Sequence, residues 1–178
     1  AVVRRYRRSL ELLVKDLPFH SALEIGSGEG YILTYILNVR PEVYLIGSDL
    51  SSDIIKKASS RETRVLWCVA QAENLPFADK SFDLVIACEL LEHVAEPTLV
   101  LLEMRRVSKK FCLISVPCEP LWRILNILRG KYLSTLGNTP GHIHHWSPKK
   151  AVELVASFFC IMSVKISLPW IFILATYK

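Results

Sequence analysis

Short apolar runs alternate along the chain with stretches whose apolar residues recur at helical spacing. Strands are predicted for the apolar runs at residues 22–25, 43–48, 64–69, 82–88 and 111–116. Helices are predicted between them, at residues 31–39, 51–58 and 97–107. Continuous apolar strands that alternate with helices are typical of a parallel sheet with helices on both faces. The pattern therefore predicts an α/β fold.

The two ends of the chain show other patterns. Apolar residues at helical spacing among arginines predict an amphipathic first helix within residues 1–18. Residues 154–176 are almost wholly apolar and approach the length of a membrane-spanning helix, but Lys165 and Pro169 disfavour one. Because β-branched residues are frequent there, we predict the end of a helix and two buried strands that turn at residues 167–169.

Residues 117–146 depart from this alternation. Spaced leucines and a tryptophan predict a short amphipathic helix, and a loop rich in glycine, proline and histidine follows it. Ser147 and Pro148 then begin another helix as its cap and first residue. Since no linker separates two domains, we predict a single domain over residues 1–178, in which 117–146 form a lid or insertion.

Composition narrows the class of protein without selecting a function. Of the 178 residues, 51% are hydrophobic, which argues for a buried core and against disorder. The net charge of +5 is compatible with nucleic acid, an acidic substrate or a membrane surface, but such an excess usually forms a solvated face. The five cysteines contain no C-x-x-C pair, so we expect a reduced, cytoplasmic setting and no zinc-type spacing.

The first residues give no sign of a secretory signal. Charge begins at Arg4, where a signal peptide would need its apolar region. An initiator Met is absent, so the N-terminus is not taken as complete.

Three glycines follow the first predicted strand directly and precede a helix. Gly26, Gly28 and Gly30 allow a tight turn and a close approach of a ligand to the backbone. The N-terminus of the following helix offers unpaired N–H groups to an anionic part of that ligand. This is the layout of a nucleotide-binding βα unit, although an ordinary strand-to-helix turn also fits the pattern.

Other strands are followed by residues that support the nucleotide interpretation. In such a sheet the ligand lies at the carboxyl ends of the strands. Asp49 closes the second strand about twenty residues after the glycines, where an acid accepts hydrogen bonds from ribose hydroxyls. Gln71 and Ala72 follow the third strand, and Cys88 and Glu89 lie at the end of the fourth. A nicotinamide dinucleotide is disfavoured, because its loops prefer the spacing G-x-G-x-x-G.

Together these stretches resemble the class I S-adenosylmethionine-dependent methyltransferases, in particular the small-molecule branch that includes ubiquinone and menaquinone biosynthesis enzymes. The resemblance extends over residues 20–178 and lies in the glycine loop with Glu24, in Asp49, and in residues 71–77, 81–85 and 89–94. It implies a Rossmann-like, doubly wound, seven-stranded sheet, mostly parallel with an antiparallel last strand, in a three-layer α/β/α arrangement. It also implies S-adenosylmethionine as cofactor and S-adenosylhomocysteine as product.

The resemblance assigns the methionine side of the cofactor to two loops. The loop from Gly26 to Gly30, which includes Ser27, would contact the methionine moiety and the ribose. Glu24 would position the methionine amino group. Cys88 and Glu89 would line the same side, the former largely through its backbone.

The adenosine side is assigned in the same way. Asp49 would bind the ribose hydroxyls, Leu50 would pack on adenine, and Ala72 would donate its backbone N–H to the ring. Many relatives have Asp at the position of Gln71. The Gln carbonyl oxygen still accepts a hydrogen bond from the adenine amino group, without charge assistance.

Methyl transfer from a sulfonium needs alignment above all, and a base only where the nucleophile holds its proton tightly. His93 is the first candidate base, because it follows the fourth strand and imidazole titrates near neutrality. A helix cap or packing role for His93 is an equal alternative. Glu92 is interpreted as an exposed helical residue.

The loop near the end of the insertion contains His142, His144, His145 and Trp146. Their spacing matches no zinc pattern, so we predict no metal site. A substrate-facing lid is the favoured interpretation. The alternative is that the imidazoles bind loop backbone and that Trp146 packs at the start of the next helix.

The sequence thus predicts a methyltransferase that acts on a small-molecule or lipid-like acceptor. One alternative is a cofactor-binding module without activity that serves as the partner of another subunit. Another is an RNA methyltransferase, although binding of nucleic acid is disfavoured. We predict no transmembrane span, leave peripheral membrane contact open, and find no indication of the oligomeric state.

Overall fold

The structure, a computed structural model, describes residues 2–177 as one seven-stranded sheet with helices packed around it. The helices are α1 (Val2–Val14), α2 (Tyr31–Val39), α3 (Ser52–Arg61), α4 (Pro97–Val107), α5 (Leu121–Leu128) and α6 (Pro148–Phe158). The strands are β1 (Ser21–Ile25), β2 (Tyr44–Asp49), β3 (Leu66–Val69), β4 (Phe82–Cys88), β5 (Ser108–Pro117), β6 (Cys160–Ser167) and β7 (Trp170–Thr176).

The strand order is β3-β2-β1-β4-β5-β7-β6. Strands β1 to β5 pair in parallel, whereas β7 runs antiparallel to both β5 and β6. This confirms the predicted doubly wound sheet with an antiparallel last strand. The order reverses between β1 and β4, and the loops that follow these two strands therefore diverge and leave a crevice.

Two apolar cores lie on opposite faces of the sheet. In β4, Leu84 and Ile86 belong to one core and Val85 and Ala87 to the other, because successive side chains of a strand alternate between faces. Buried residues of α1 and α2 complete the first core, and those of α4 and α6 complete the second. The predicted three-layer arrangement is confirmed.

The apolar C-terminal run forms the end of α6 and the hairpin of β6 and β7, as predicted. Within residues 2–177, no helix combines the length and the apolar character that crossing a bilayer requires. The strand β3 starts later than predicted, at Leu66, and β5 starts earlier, at Ser108, directly after α4.

The segment between β5 and α6 contains α5 and a short 3-10 helix (Leu133–Thr135). Its two ends are joined to each other, because Glu119 N–H donates to the carbonyl oxygen of Trp146 at 2.9 Å. Cys118 N–H also donates to the carbonyl oxygen of Pro169 at 2.8 Å. The segment therefore leaves the sheet and returns to it at one place, and we refer to residues 118–146 as the lid segment.

Arg40, just after α2, fixes the position of α1. Its guanidinium donates to the carbonyl oxygens of Val14, Lys15, Leu17 and Phe19, at 2.8 to 3.3 Å. These carbonyl groups lie at the end of α1 or just after it, and those of Val14 and Leu17 also accept the backbone N–H groups of Leu17 and Phe19. One side chain thus terminates α1 and holds the connection to β1.

Replacement of Arg40 by Ala should lower the free energy of unfolding by about 2–3 kcal/mol, because several partly buried carbonyl groups lose a charged donor. Urea unfolding followed by circular dichroism measures this loss. Arg8→Ala is the matched control, since Arg8 is an exposed arginine of α1 with a single pairing to Glu11, and its loss should cost less than about 1 kcal/mol. Equal losses in the two variants would contradict this role of Arg40.

Candidate functional site

Two adjoining cavities occupy the crevice at the strand-order reversal, and Gly26 lies in the wall of both. The larger has a volume of about 560 Å³, and the predicted residues in its wall are Glu24, Ser27, Gly28, Cys88 and Glu89. The smaller has a volume of about 330 Å³, and its wall includes Asp49, Leu50, Gln71, Ala72 and His93. The structure therefore brings together all the predicted cofactor residues except Gly30.

Asp49 joins the loop after β1 to the loop after β2. Its Oδ2 accepts from Gly28 N–H and its Oδ1 from Ser51 N–H, both at 3.0 Å. Ser51 also caps α3, since its Oγ accepts from Ile54 N–H. The half-buried carboxylate is thereby held in one orientation at the wall of the smaller cavity.

Glu24 contributes a buried carboxylate from the middle of the sheet. Its side chain is almost fully buried, and its Oε2 has no hydrogen-bond partner among the described residues. Burial, and next the charge of Asp49, raise the pKa of Glu24 well above its usual value. A buried acceptor of this kind at a cavity wall fits a cationic donor such as an ammonium group.

Glu89 follows β4 in a left-handed backbone conformation, with φ of 54°. Its Oε1 accepts from Ser115 Oγ at 2.9 Å and its Oε2 from Trp170 Nε1 at 2.8 Å. Burial raises its pKa to about 7, against the effect of these two hydrogen bonds. The pKa of the neighbouring Cys88 thiol is raised to about 12 by burial, so this thiol stays protonated at neutral pH.

Sequence reasoning missed the residues that close the larger cavity. Tyr6 of α1 lies over Trp170 with a ring distance of 4.8 Å, and its hydroxyl is 2.8 Å from Ser115 Oγ. Tyr35 and Ile32 of α2 also line the cavity. In the sequence, Tyr6 is one of the apolar residues at helical spacing in α1, and this spacing does not indicate a pocket.

The histidines of the lid segment contact the loop after β4. Ile143 N–H and His144 N–H donate to the carbonyl oxygen of Glu92, at 2.9 and 3.2 Å. The His144 Nε2–H donates to the carbonyl oxygen of Val94 at 3.0 Å. His93 Nδ1–H donates in the opposite direction, to the carbonyl oxygen of Gly141 at 3.0 Å. The lid segment is thus fastened to residues 92–95.

None of the four predicted substrate-facing residues, His142, His144, His145 and Trp146, is in the wall of the two cavities. His145 is exposed and contacts Asn138, with 2.9 Å between Nε2 and Oδ1. Trp146 packs on the core and stacks on His144 at a ring distance of 5.4 Å. The ring of His144 bonds backbone, as the alternative interpretation expected, whereas that of His145 meets a side chain. The substrate-facing role of these residues stays a prediction.

The interpretation of Glu92 as an exposed helical residue is wrong. Glu92 lies in a turn before α4 and its side chain is fully buried. Neither carboxylate oxygen has a hydrogen-bond partner among the described residues. The lid segment, about fifty residues further along the chain, contacts the backbone of Glu92, and no local sequence pattern indicates that the side chain is buried.

The sequence model described as "Methyltransferase domain" matches residues 23–114, just over half of the chain. The chain is 31% identical over 108 residues to the ubiquinone/menaquinone biosynthesis C-methyltransferase UbiE of Desulfotalea psychrophila, covering 60% of this chain and 44% of that protein. It is 31% identical over 127 residues to the demethylmenaquinone methyltransferase of Paenarthrobacter aurescens, and the match covers 68% of this chain and 49% of that protein. The chain spans about half the length of the curated relatives it matches.

A solved structure has the same fold at low sequence identity. The magnesium protoporphyrin IX methyltransferase of Synechocystis PCC 6803, with bound S-adenosylhomocysteine, superposes with a TM-score of 0.73 at 14% identity. The match covers 99% of this chain and 85% of that one. At this identity the likeness concerns the fold alone.

Two glycines of the loop after β1 should differ in their tolerance of Ala. Both have positive φ, 54° at Gly28 and 78° at Gly30. A Cβ at Gly30 would lie 2.3 Å from Trp67, whereas a Cβ at Gly28 would meet nothing within 4 Å. We expect Gly30→Ala to lower the free energy of unfolding by more than about 2 kcal/mol and Gly28→Ala by about 1 kcal/mol.

Urea unfolding of the two variants beside the parent protein measures this difference. If Gly28→Ala lowers the free energy of unfolding as much as Gly30→Ala does, the clash with Trp67 is not the reason that residue 30 must be glycine.

Proposed function

The chain belongs to the methyltransferase-domain family of class I S-adenosylmethionine-dependent methyltransferases, and from this we propose that it methylates a small-molecule or lipid-like acceptor. One observation carries the proposal. Two carboxylates, Glu24 and Asp49, stand on either side of Gly26 in the walls of two adjoining cavities. S-adenosylmethionine has a matching pair of donors, an ammonium group at one end and a ribose diol nearer the other.

The larger cavity suits the methionine end of the cofactor. Glu24 offers its unpartnered oxygen to the amino group, and the backbone of the loop from Gly26 to Gly28 borders the same space. Bound there, the cofactor supplies a methyl group that its sulfonium already activates. The task of the protein is then to hold donor and acceptor in line.

The smaller cavity suits the adenosine end. The carboxylate of Asp49 is fixed by two backbone donors and keeps acceptor capacity for ribose hydroxyls. Leu50 is exposed beside it and provides an apolar surface for adenine. Gln71 and the backbone of Ala72 complete the wall.

The acceptor would enter from the part of the larger cavity that α1 and α2 close. Tyr6, Leu10, Ile32 and Tyr35 make this region apolar and aromatic, which favours an apolar acceptor. The relatives named for demethylmenaquinone methylation act, by their names, on a lipid-like quinone. That agreement supports the choice of a small, lipid-like acceptor over a macromolecule.

Glu89 is better positioned than His93 to accept a proton from the acceptor. It lies in the wall of the larger cavity, where the methionine end would bind, whereas His93 lies in that of the smaller one. The two polar contacts of Glu89, to Ser115 and Trp170, hold its carboxylate in place. We therefore propose Glu89, rather than His93, as the base that accepts this proton.

Replacement of Asp49 by Ala should weaken binding of S-adenosylhomocysteine at least tenfold, or by about 1.4 kcal/mol. The variant loses the ribose acceptors and the anchor of Gly28 together. Isothermal titration calorimetry measures the affinity. Asp53→Ala is the control, because Asp53 is an exposed acid of α3 outside both cavities. We expect this variant to bind S-adenosylhomocysteine with the affinity of the parent protein.

The proposal fails if the dissociation constant of the parent protein for S-adenosylhomocysteine is not below millimolar. It also fails if Asp49→Ala binds this ligand as tightly as the parent does.

The acceptor class can be tested with S-adenosylmethionine labelled in its methyl group. Incubation of the protein with a cell extract should transfer label to the fraction soluble in organic solvent. Label in RNA would overturn the small-molecule acceptor and support the RNA alternative. Cofactor binding without transfer to any fraction would favour the inactive module.

A further inference from the structure

Three metal-ligating side chains meet where the lid segment contacts the loop after β4. One ligand atom each from Glu92, His93 and His142 lies within 4.8 Å of the other two. The rings of His93 and His142 stand nearly perpendicular, with centroids 4.8 Å apart. Because about fifty residues separate His142 from the other two, the spacing in sequence could not indicate this cluster.

The carboxylate of Glu92 has no partner within the part of the chain that the structure describes. Its side chain is fully buried, and both oxygens lack a hydrogen bond. The charged form of a buried carboxylate without a partner is costly, so the group either holds a proton or pairs with a cation. Its backbone carbonyl, by contrast, accepts from both Ile143 and His144. These backbone contacts bring His142 close to the Glu92 side chain.

The imidazole of His93 is oriented as metal-binding histidines usually are, and that of His142 has ring nitrogens that are unpaired among the described residues. The Nδ1–H of His93 donates to the carbonyl oxygen of Gly141, which leaves the lone pair of Nε2 free. Metal-binding histidines commonly donate their second nitrogen to a backbone carbonyl in this way. The ring of His142 is buried and stacks on Trp122 at 6.1 Å, and no hydrogen bond among the described residues involves its nitrogens.

We propose that Glu92, His93 and His142 bind one divalent transition-metal ion of the zinc type. Two imidazole nitrogens and one carboxylate form a recognised zinc ligand set with a fourth position left for water. Zinc–ligand distances of about 2.0–2.1 Å place tetrahedral ligands roughly 3.3 Å apart, so the three side chains must approach one another slightly on binding. The ion links the lid segment to residues 92–93 and stabilises the contact already made by the backbone.

The proposal does not depend on methyl transfer, and metal binding tests it directly. Protein dialysed against a chelator is titrated with Zn²⁺ in a calorimeter, and we expect one ion per chain. Glu92→Gln and His142→Ala should each weaken binding at least tenfold, because each removes a ligand. His145→Ala is the matched control, since this imidazole lies in the same loop, is exposed and falls outside the cluster.

Thermal unfolding provides a second measurement. Zn²⁺ should raise the melting temperature of the parent and of His145→Ala, and have little effect on Glu92→Gln. Glu92→Gln keeps the shape of the side chain without its charge, so the variant should fold, and far-UV circular dichroism checks this. Absence of binding to the parent overturns the proposal. So does binding that survives in both Glu92→Gln and His142→Ala, or that is lost as strongly in His145→Ala.

Discussion

The reversal of strand order between β1 and β4 is the constraint on which the rest of the structure depends. β1 and β4 are parallel, but the chain continues from β1 toward one edge of the sheet and from β4 toward the other, so the loops that follow them cannot cover each other. Gly26 and Gly28, in the loop after β1, line the crevice between these loops with backbone, because glycine has no side chain. Asp49, at the end of the neighbouring strand β2, accepts a hydrogen bond from Gly28 N–H and so holds this loop in place.

Buried carboxylates give the site its chemical character. Glu24, Glu89 and Glu92 lie at the carboxyl ends of strands or just beyond them, and each is buried wholly or in part. Of the three, only Glu89 has hydrogen-bond donors for both oxygens among the described residues. The other two agree with the proposals made above, in which the ammonium group of the cofactor pairs with Glu24 and a metal ion binds Glu92.

Much of the fold and of the cofactor site could be predicted from sequence, because their signals are local. The apolar strands, the glycine turn and Asp49 each depend on a few neighbouring residues, and the order of strands in such folds follows from their connections. Burial of Glu92 and closure of the cavity by Tyr6 depend on contacts between distant segments. No periodicity or spacing encodes these contacts, so the aromatic wall of the larger cavity and the His142 cluster could be found only in the structure.

A crystal structure of the protein with S-adenosylhomocysteine tests the central claim most directly. The amino nitrogen of the ligand should lie within about 3.2 Å of a Glu24 carboxylate oxygen, and the ribose hydroxyls within the same distance of Asp49. Ligand density outside the two cavities that meet at Gly26 would contradict the account. So would a ligand in them whose ribose has no contact with Asp49.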